Sequence, residues 1–226
     1  MNSNRKTAII TGVLFITATV AFSIGMIILE PILGGLDYLT NASANANLVI
    51  IGALLVLIDS VAVAGIAIVL YRILKKHNDV LALGYVGARI IEGIFFMVYA
   101  ITILTLLTLS KEFVQAGAPI ASSYQALGTM LLAAGNWAFL LGYGLVFGLS
   151  ALILNFVLYR SRLVPRWLSG WGFVSAAFVF INFFLQSFGI SFFEFLDFSI
   201  ALQEMVFAVW LITKGFNPAA ISSTSA

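Results

Sequence analysis

Six long apolar runs are the feature of this sequence that most restricts its fold. Each is close to the roughly 20 residues that a transmembrane helix needs. Inside hydrocarbon, a chain must satisfy its backbone amides within helices or a closed barrel, and these runs lack the alternation of barrel strands. The sequence therefore predicts an all-α fold, a polytopic transmembrane bundle of six helices. The runs cover about residues 7–29, 48–71, 82–109, 135–159, 167–188 and 195–213.

The composition agrees with a membrane protein and narrows its chemistry. Hydrophobic residues make up 62% of the 226 residues and charged residues only 9%, far from the balance of a soluble domain. No polar stretch is long enough for a separate domain, so we expect residues 1–226 to form a single integral-membrane domain. The chain has no Cys, and no phosphate loop, dinucleotide fingerprint or HExxH motif is present. We therefore expect no cofactor and no metal.

The distribution of Lys and Arg indicates the orientation of the helices, because positively charged short loops stay in the cytoplasm. Nine basic residues fall on one side of the predicted bundle, and only Lys111 falls on the other. Both termini are therefore expected in the cytoplasm. The +2 net charge reflects this topology and does not indicate nucleic-acid binding. The nine are Arg5, Lys6, Arg72, Lys75, Lys76, Arg160, Arg162, Arg166 and Lys214.

Four charged residues interrupt the apolar runs: Asp59, Arg89, Glu92 and Glu204. An ionisable side chain inside a membrane helix costs roughly 2.5 to 3.5 kcal/mol on insertion scales and by default marks a functional site. Counting from the cytoplasmic ends of their helices places the three acids at a similar depth, roughly 15 to 20 Å into the bilayer. Arg89 and Glu92 are three residues apart on one helix face and can pair. We therefore predict a shared binding site, or a proton or ion pathway, near mid-bilayer.

The charge balance of this group leaves several interpretations open. With all four residues ionised, three acids face one arginine, a surplus of two negative charges. Either some carboxyl groups stay protonated, or a cation or cationic ligand occupies the site. The alternative is a structural role, in which the Arg89–Glu92 pair and the other acids only lock the helices together.

Other polar residues in the apolar runs are expected to support the site. Two tyrosines extend the helix face that carries Arg89 and Glu92. Amide side chains in membrane helices commonly hydrogen-bond helices together, which is the structural alternative for the amides. These supporting residues are Tyr85, Tyr99, Asn136, Asn182 and Gln186.

Glycines in the fourth run predict a close helix contact. Gly144 and Gly148 form a GxxxG spacing, which lets another helix backbone approach. The contacting helix belongs either to the same chain or to a second copy. The predicted partners are thus the lipid bilayer, a small solute, proton or cation, and a second copy through these two glycines.

Three segments resemble one known family of membrane proteins. They are LALGYVGARIIEG at 81–93, LYRSRLVPRWLSGWG at 158–172 and ALQEMVFAVWLITKGFN at 201–217. The family is a bacterial and archaeal group of small polytopic membrane proteins, domain of unknown function 4386. The resemblance implies a multi-pass protein of the cell membrane, the inner membrane of a prokaryote. It also carries Arg89, Glu92, Gln203 and Glu204 as motif residues, with Gln203 as a supporting residue, and it implies no activity.

Three classes of function remain open from the sequence. The leading hypothesis is proton- or cation-linked transport or permeation of a small solute, with the acids binding the proton or cation beside Arg89. The alternative is a membrane sensor or accessory subunit with a structural polar core. The third is an intramembrane enzyme with a glutamate as general base, although the sequence shows no activated nucleophile or metal-ligand set.

Overall fold

The computed structural model describes residues 3–119, 123–190 and 198–222. Within these ranges the chain is helical and contains no strand. A π-helical segment at Leu141–Phe147 joins two of the α-helices without a break. The α-helices are α1 Ser3–Leu33, α2 Tyr38–Ala44, α3 Ala46–Leu74, α4 Asp79–Gln115, α5 Ser123–Leu140, α6 Gly148–Ser161, α7 Arg166–Ser187, α8 Phe198–Thr213 and α9 Pro218–Ser222.

Five helical stretches in the described ranges are long and apolar enough to cross a membrane. They are α1, α3, α4, the continuous helix from α5 through the π segment to α6, and α7, and they match the first five predicted runs. The all-helical fold is therefore confirmed, and the five apolar helices support a membrane protein. α8 is also apolar but has 16 residues, which span about 24 Å. The sixth predicted run starts at residue 195, and its part at 195–197 lies outside the described residues.

Several helices extend beyond the predicted apolar runs by more than a turn. The fourth membrane helix begins at Ser123 instead of residue 135, because the Ala- and Leu-rich stretch before Gly135 continues the helix. α4 continues past residue 109 to Gln115. Helical hydrogen bonds satisfy the backbone beyond the apolar core as well as within it. A helix can therefore extend past either end of the apolar run that hydropathy detects. The two short helices α2 and α9 were not predicted.

The membrane helices form a closed ring in chain order. α1 packs on α3, α3 on α4, and α4 on the continuous helix of α5, the π segment and α6. This helix packs on α7, α7 on α8, and α8 returns to α1. A ring of this kind leaves an interior that several helices face at once, and the charged residues lie there.

At two glycines, a helix lies very close to the backbone of its neighbour in the ring. A Cβ at Gly12 of α1 would lie 2.7 Å from the carbonyl oxygen of Ala208 on α8. A Cβ at Gly93 of α4 would lie 2.9 Å from the carbonyl oxygen of Ser60 on α3. Only glycine fits at such distances. Because Gly93 follows Glu92 and Ser60 follows Asp59, the second contact brings these two acids to the same level.

The segments that carry most of the basic residues meet at one end of the ring. The Arg5 guanidinium donates to the carbonyl oxygens of Leu211 and Ile212, which caps the end of α8. The backbone N–H of Asn217 donates to the carbonyl oxygen of Leu163 at 2.8 Å, which joins the chain after α8 to the α6–α7 turn. Leu74, at the end of α3, belongs to the same apolar cluster as Leu163. We refer to this as the basic end of the molecule.

Candidate functional site

A single cavity inside the ring brings the four charged residues together. Its volume is 310 Å³, and Asp59, Arg89, Glu92 and Glu204 all line it. They come from α3, α4 and α8, and residues of α1, α5 and the π segment complete the wall. The predicted convergence of these side chains at one level is therefore present in the structure. We call this the central cavity.

Arg89 and Glu92 form a buried ion pair along α4. The Nη1 group of Arg89 donates to both carboxylate oxygens of Glu92 at 3.0 Å. The guanidinium carbon lies 5.4 Å from the ring centre of Phe147 and 5.9 Å from that of Phe15, within range of cation–π attraction. The Ser150 hydroxyl on α6 lies beside the Glu92 carboxyl. Residues of α1 and of the helix that contains the π segment therefore surround the pair on α4.

Asp59 has no comparable partner. Its side chain is 4% exposed, and its Oδ2 atom has no hydrogen-bond partner among the described residues. The same is true of the Nε group of Arg89. The charges of Glu92, Arg89 and Glu204 act on the Asp59 carboxyl across the cavity. A buried polar atom without a partner destabilises the fold, so this cavity has binding capacity that the protein itself does not use.

Glu204 reaches the cavity from α8 and is only partly buried. The hydroxyl of Thr19 on α1 donates to its Oε2 atom at 3.4 Å. Among the described residues, the Arg89–Glu92 contact is the only ion pair. Glu204 is therefore held by one long hydrogen bond and is the most accessible of the three acids.

Aromatic rings form the rest of the cavity wall. Ring centres along the helix that contains the π segment lie 5.6 Å apart for Phe139 and Tyr143 and 5.4 Å apart for Tyr143 and Phe147, with nearly parallel planes. Phe22 of α1 stacks on Phe139 at 5.9 Å and on Phe96 of α4 at 5.4 Å. All five rings line the central cavity. The site thus combines carboxyl groups with an aromatic surface.

Two further cavities lie along the same helices, one on each side of the central cavity. One, of 460 Å³, includes Met26, Tyr99 and Asn136 in its wall, each about one turn beyond the stacked ring of its helix. It lies toward the end of the ring opposite the basic end, and we call it the outer cavity. The other, of 10 Å³, is lined by Tyr85 and Gln203 on the side of the basic end. The stacked layer of Phe22, Phe96 and Phe139 separates the outer cavity from the central one.

The supporting residues divide between these cavities. Tyr85 is buried one turn from Arg89, and the Gln203 amide donates to the carbonyl oxygen of Leu168 at 3.3 Å, which ties α8 to α7. Tyr99 and Asn136 line the outer cavity and not the central one. Asn182 is buried and Gln186 partly buried on α7, and neither lines any of the three cavities. The structure thus places only Tyr85 and Gln203 beside the charged group.

The close helix contact expected at Gly144 and Gly148 exists within the chain. A Cβ at Gly144 would lie 2.8 Å from the Cβ of Phe183, and a Cβ at Gly148 would lie 3.1 Å from the Cα of Phe180. Both phenylalanines belong to α7. Association of two copies through these glycines stays a prediction, and it would require α7 to move aside.

Sequence reasoning missed the neutral groups of the site. Thr19 and Ser150 are hydroxyl residues in apolar runs, a pattern shared by other threonines and serines of the chain that only bond to their own helix. The aromatic wall could have been predicted from the sequence, because Phe139, Tyr143 and Phe147 recur every four residues. That spacing places three rings on one helix face.

Comparison with known proteins gives a family and no activity. No curated protein and no solved structure matches the chain. The model of one protein family, described as "Domain of unknown function (DUF4386)", matches residues 10–215. All four charged residues of the central cavity lie within the matched range. The chain therefore belongs to the DUF4386 family of unknown function, as its three motifs had indicated.

Proposed function

We propose that this protein is a carrier or permeation protein that moves a small solute across the membrane in a proton- or cation-linked way, through the central cavity. The observation that supports this most is the cavity itself, 310 Å³ in volume, with Asp59, Arg89, Glu92 and Glu204 in its wall. Ionisable groups inside membrane proteins usually line substrate, proton or ion pathways. A cluster that only held helices together would have no need of an open volume beside its charged groups.

The four residues have different parts in this proposal. Glu92 is engaged by Arg89, so this pair sets a fixed local field. Asp59 and Glu204 are the groups that take up and release a proton or cation, because neither is ion-paired among the described residues. The Nε group of Arg89 is buried without a hydrogen-bond partner among the described residues, so it would donate to a solute only after the surrounding side chains move.

The charge of the cavity couples the binding of a proton or cation to the movement of the solute. With the Arg89–Glu92 pair neutral overall, ionised Asp59 and Glu204 leave two negative charges in a low-dielectric interior. That state is unfavourable until protons or a cation neutralise it. Occupancy by a proton or cation therefore favours the closed, desolvated state in which a carrier changes its access from one face to the other.

The succession of cavities supports a route through the ring. We propose that a solute enters through the outer cavity, passes the layer of Phe22, Phe96 and Phe139, and reaches the central cavity. The small cavity beside Tyr85 and Gln203 marks the closed side. In this proposal the basic end faces the cytoplasm with both termini, and α8 belongs to the sixth membrane span of a protein in a prokaryotic inner membrane.

Proton flux into liposomes tests the proposal. With purified protein, an imposed pH gradient and an entrapped pH-sensitive dye, we expect flux that Glu204→Gln and Glu92→Gln each reduce to the level of protein-free liposomes. Both substitutions keep the size of the side chain and remove its charge and titration. Glu112→Gln is the matched control, because Glu112 is an exposed acid near the end of α4 and lies away from the central cavity.

Three results separate transport from the alternatives. Flux that is unchanged in both cavity variants contradicts the carrier proposal. Loss of folding in both variants supports the sensor or accessory subunit with a structural polar core, the candidate favoured by the buried Arg89–Glu92 pair. Loss of flux with intact folding, while Glu112→Gln keeps full flux, is the result that the transport proposal expects.

A further inference from the structure

Two carboxyl groups in the wall of the central cavity have no ion-pair partner among the described residues. Asp59 is 4% exposed, lines the cavity and keeps a carboxylate oxygen without a hydrogen-bond partner in the described part of the chain. Glu204 contributes a second carboxyl group, and among the described residues its one hydrogen bond is the 3.4 Å bond from Thr19. When both carboxyl groups are ionised, Arg89 cannot neutralise them, because its single positive charge is already balanced by Glu92. The electrostatic demand of the site is therefore for a positively charged group.

The surroundings of these carboxyl groups do not suit a small inorganic cation. Divalent ions such as Ca²⁺ take six to eight oxygen ligands, with several carboxylates converging on one point. Among the described residues, no three His, Asp or Glu side chains converge closely enough to hold a metal ion. A hydrated ion would also lie against the rings of Phe139, Tyr143 and Phe22, which offer it few ligands.

The aromatic wall suits a cation with an apolar body. Aromatic rings attract cations through their π-electrons and bury apolar surface at the same time, and cages of such rings recognise alkylated ammonium groups. The site already shows this kind of contact internally, since the Arg89 guanidinium lies 5.4 Å from the ring centre of Phe147. The volume of 310 Å³ is at the lower end of the roughly 300 to 1,000 Å³ of small-molecule sites.

We propose that the central cavity is a binding site for a small organic cation, an alkyl- or arylammonium compound. The ammonium group lies between Asp59 and Glu204, and the apolar body packs against Phe22, Phe139 and Tyr143. This inference rests on the proposed function in one respect, because it names the class of solute that the carrier would move. Binding itself does not require transport.

Equilibrium binding of radiolabelled benzyltrimethylammonium to the purified full-length protein in detergent tests the proposal. We expect saturable binding at one site per chain, weakened about tenfold by Asp59→Asn because a facing charge is lost. Phe139→Leu should weaken it about threefold or more by removing a ring while keeping an apolar side chain. Glu112→Gln, an exposed acid outside the cavity, should bind like the wild type. Benzenesulfonate, which has a similar ring with the opposite charge, should not compete.

Other results overturn this inference and distinguish it from the transport proposal. Absence of benzyltrimethylammonium binding, equal competition by benzenesulfonate, or unchanged affinity in Asp59→Asn each contradicts an organic-cation site. If Asp59→Asn does not fold, Glu204→Gln takes its place in the same comparison. Proton flux that Glu204→Gln abolishes, without any ammonium binding, would reject the ligand class and leave transport standing. Binding without flux would reject transport and leave the site standing.

Discussion

At the scale of single residues, the charge balance of the cavity depends on Arg89. Its guanidinium engages Glu92 through two hydrogen bonds and lies between the rings of Phe15 and Phe147. Arg89 and Glu92 are both buried, so neither charge is compensated by bulk water. Removing the arginine alone would leave a buried carboxylate without its partner, next to two further acids.

A double-mutant cycle measures this dependence. We expect Arg89→Gln to lower the free energy of unfolding by about 3 to 5 kcal/mol, because the charge of Glu92 is left uncompensated. Adding Glu92→Gln should restore a large part of this loss, since the remaining amides can hydrogen-bond without charge. Thermal unfolding in detergent micelles gives the comparison, with Arg160→Gln on an exposed arginine as the control. Losses that simply add in the double variant would show that the pair is not coupled.

The charged residues of the site were predictable and their pairing was only partly so. A charge inside an apolar run stands out whatever the fold, and the three-residue spacing of Arg89 and Glu92 predicted their contact. That Asp59 keeps an unpartnered oxygen depends on which helix faces it. The absence of this hydrogen-bond partner is a property of the tertiary structure and cannot be predicted from the local sequence.

At the scale of helices, the contact of α3 with α4 sets the geometry of the acids. Gly93 lets α4 approach the carbonyl oxygen of Ser60 so closely that a Cβ would lie 2.9 Å from it. Because that oxygen belongs to the backbone, a side chain at residue 93 must push the two helices apart. Asp59 and Glu92 adjoin this contact and would move with it.

A pair of alanine substitutions on α4 tests the role of this contact. Gly93→Ala should lower the free energy of unfolding by about 1 to 3 kcal/mol and reduce proton flux, because α3 and α4 separate at the level of the acids. Gly87→Ala is the matched control on the same helix, since a Cβ there meets no atom within 4 Å. It should leave flux unchanged and be neutral or slightly stabilising, as alanine favours helix. Equal behaviour of the two variants would contradict the account.

The helices themselves followed from the sequence, and their local irregularity did not. Long apolar runs specify helices in a membrane because no other open structure satisfies the backbone there. Within the π-helical turn at Leu141–Phe147, Gly142 lies close to Phe95 and Gly144 lies close to Phe183. These contacts join separate parts of the chain, so the sequence around Gly142 and Gly144 favours a close contact but does not specify a π-helix.

At the scale of the whole molecule, the closed ring of helices is what creates the cavity. Its helix pairing was not predictable from hydropathy, because residues on the outer surface are as apolar as those inside. Val61 of α3 is 65% exposed and Ile101 of α4 is 59% exposed, and both are as hydrophobic as the buried core. Only polar and small residues mark the inner face of such helices, and they are few.

Thiol labelling can determine the orientation of the ring, because the chain has no natural Cys. Lys76→Cys and Ala116→Cys place exposed thiols at opposite ends of α4, near the basic end and away from it. In intact cells, a membrane-impermeant maleimide should label Ala116→Cys and not Lys76→Cys until the membrane is opened. The reverse pattern would contradict a cytoplasmic basic end.

The most direct measurement of the central claim is the reaction of a single cysteine in the cavity with a small, membrane-impermeant, cationic thiosulfonate. Ala201 of α8 lines the central cavity and is partly exposed, whereas Val61 of α3 lies on the outer surface of the ring. In reconstituted, folded protein we predict that Ala201→Cys reacts and that Val61→Cys does not, because only the cavity admits water and cations. If Ala201→Cys is as unreactive as Val61→Cys from both faces of the membrane, the charged residues form a dry structural cluster and the account is wrong.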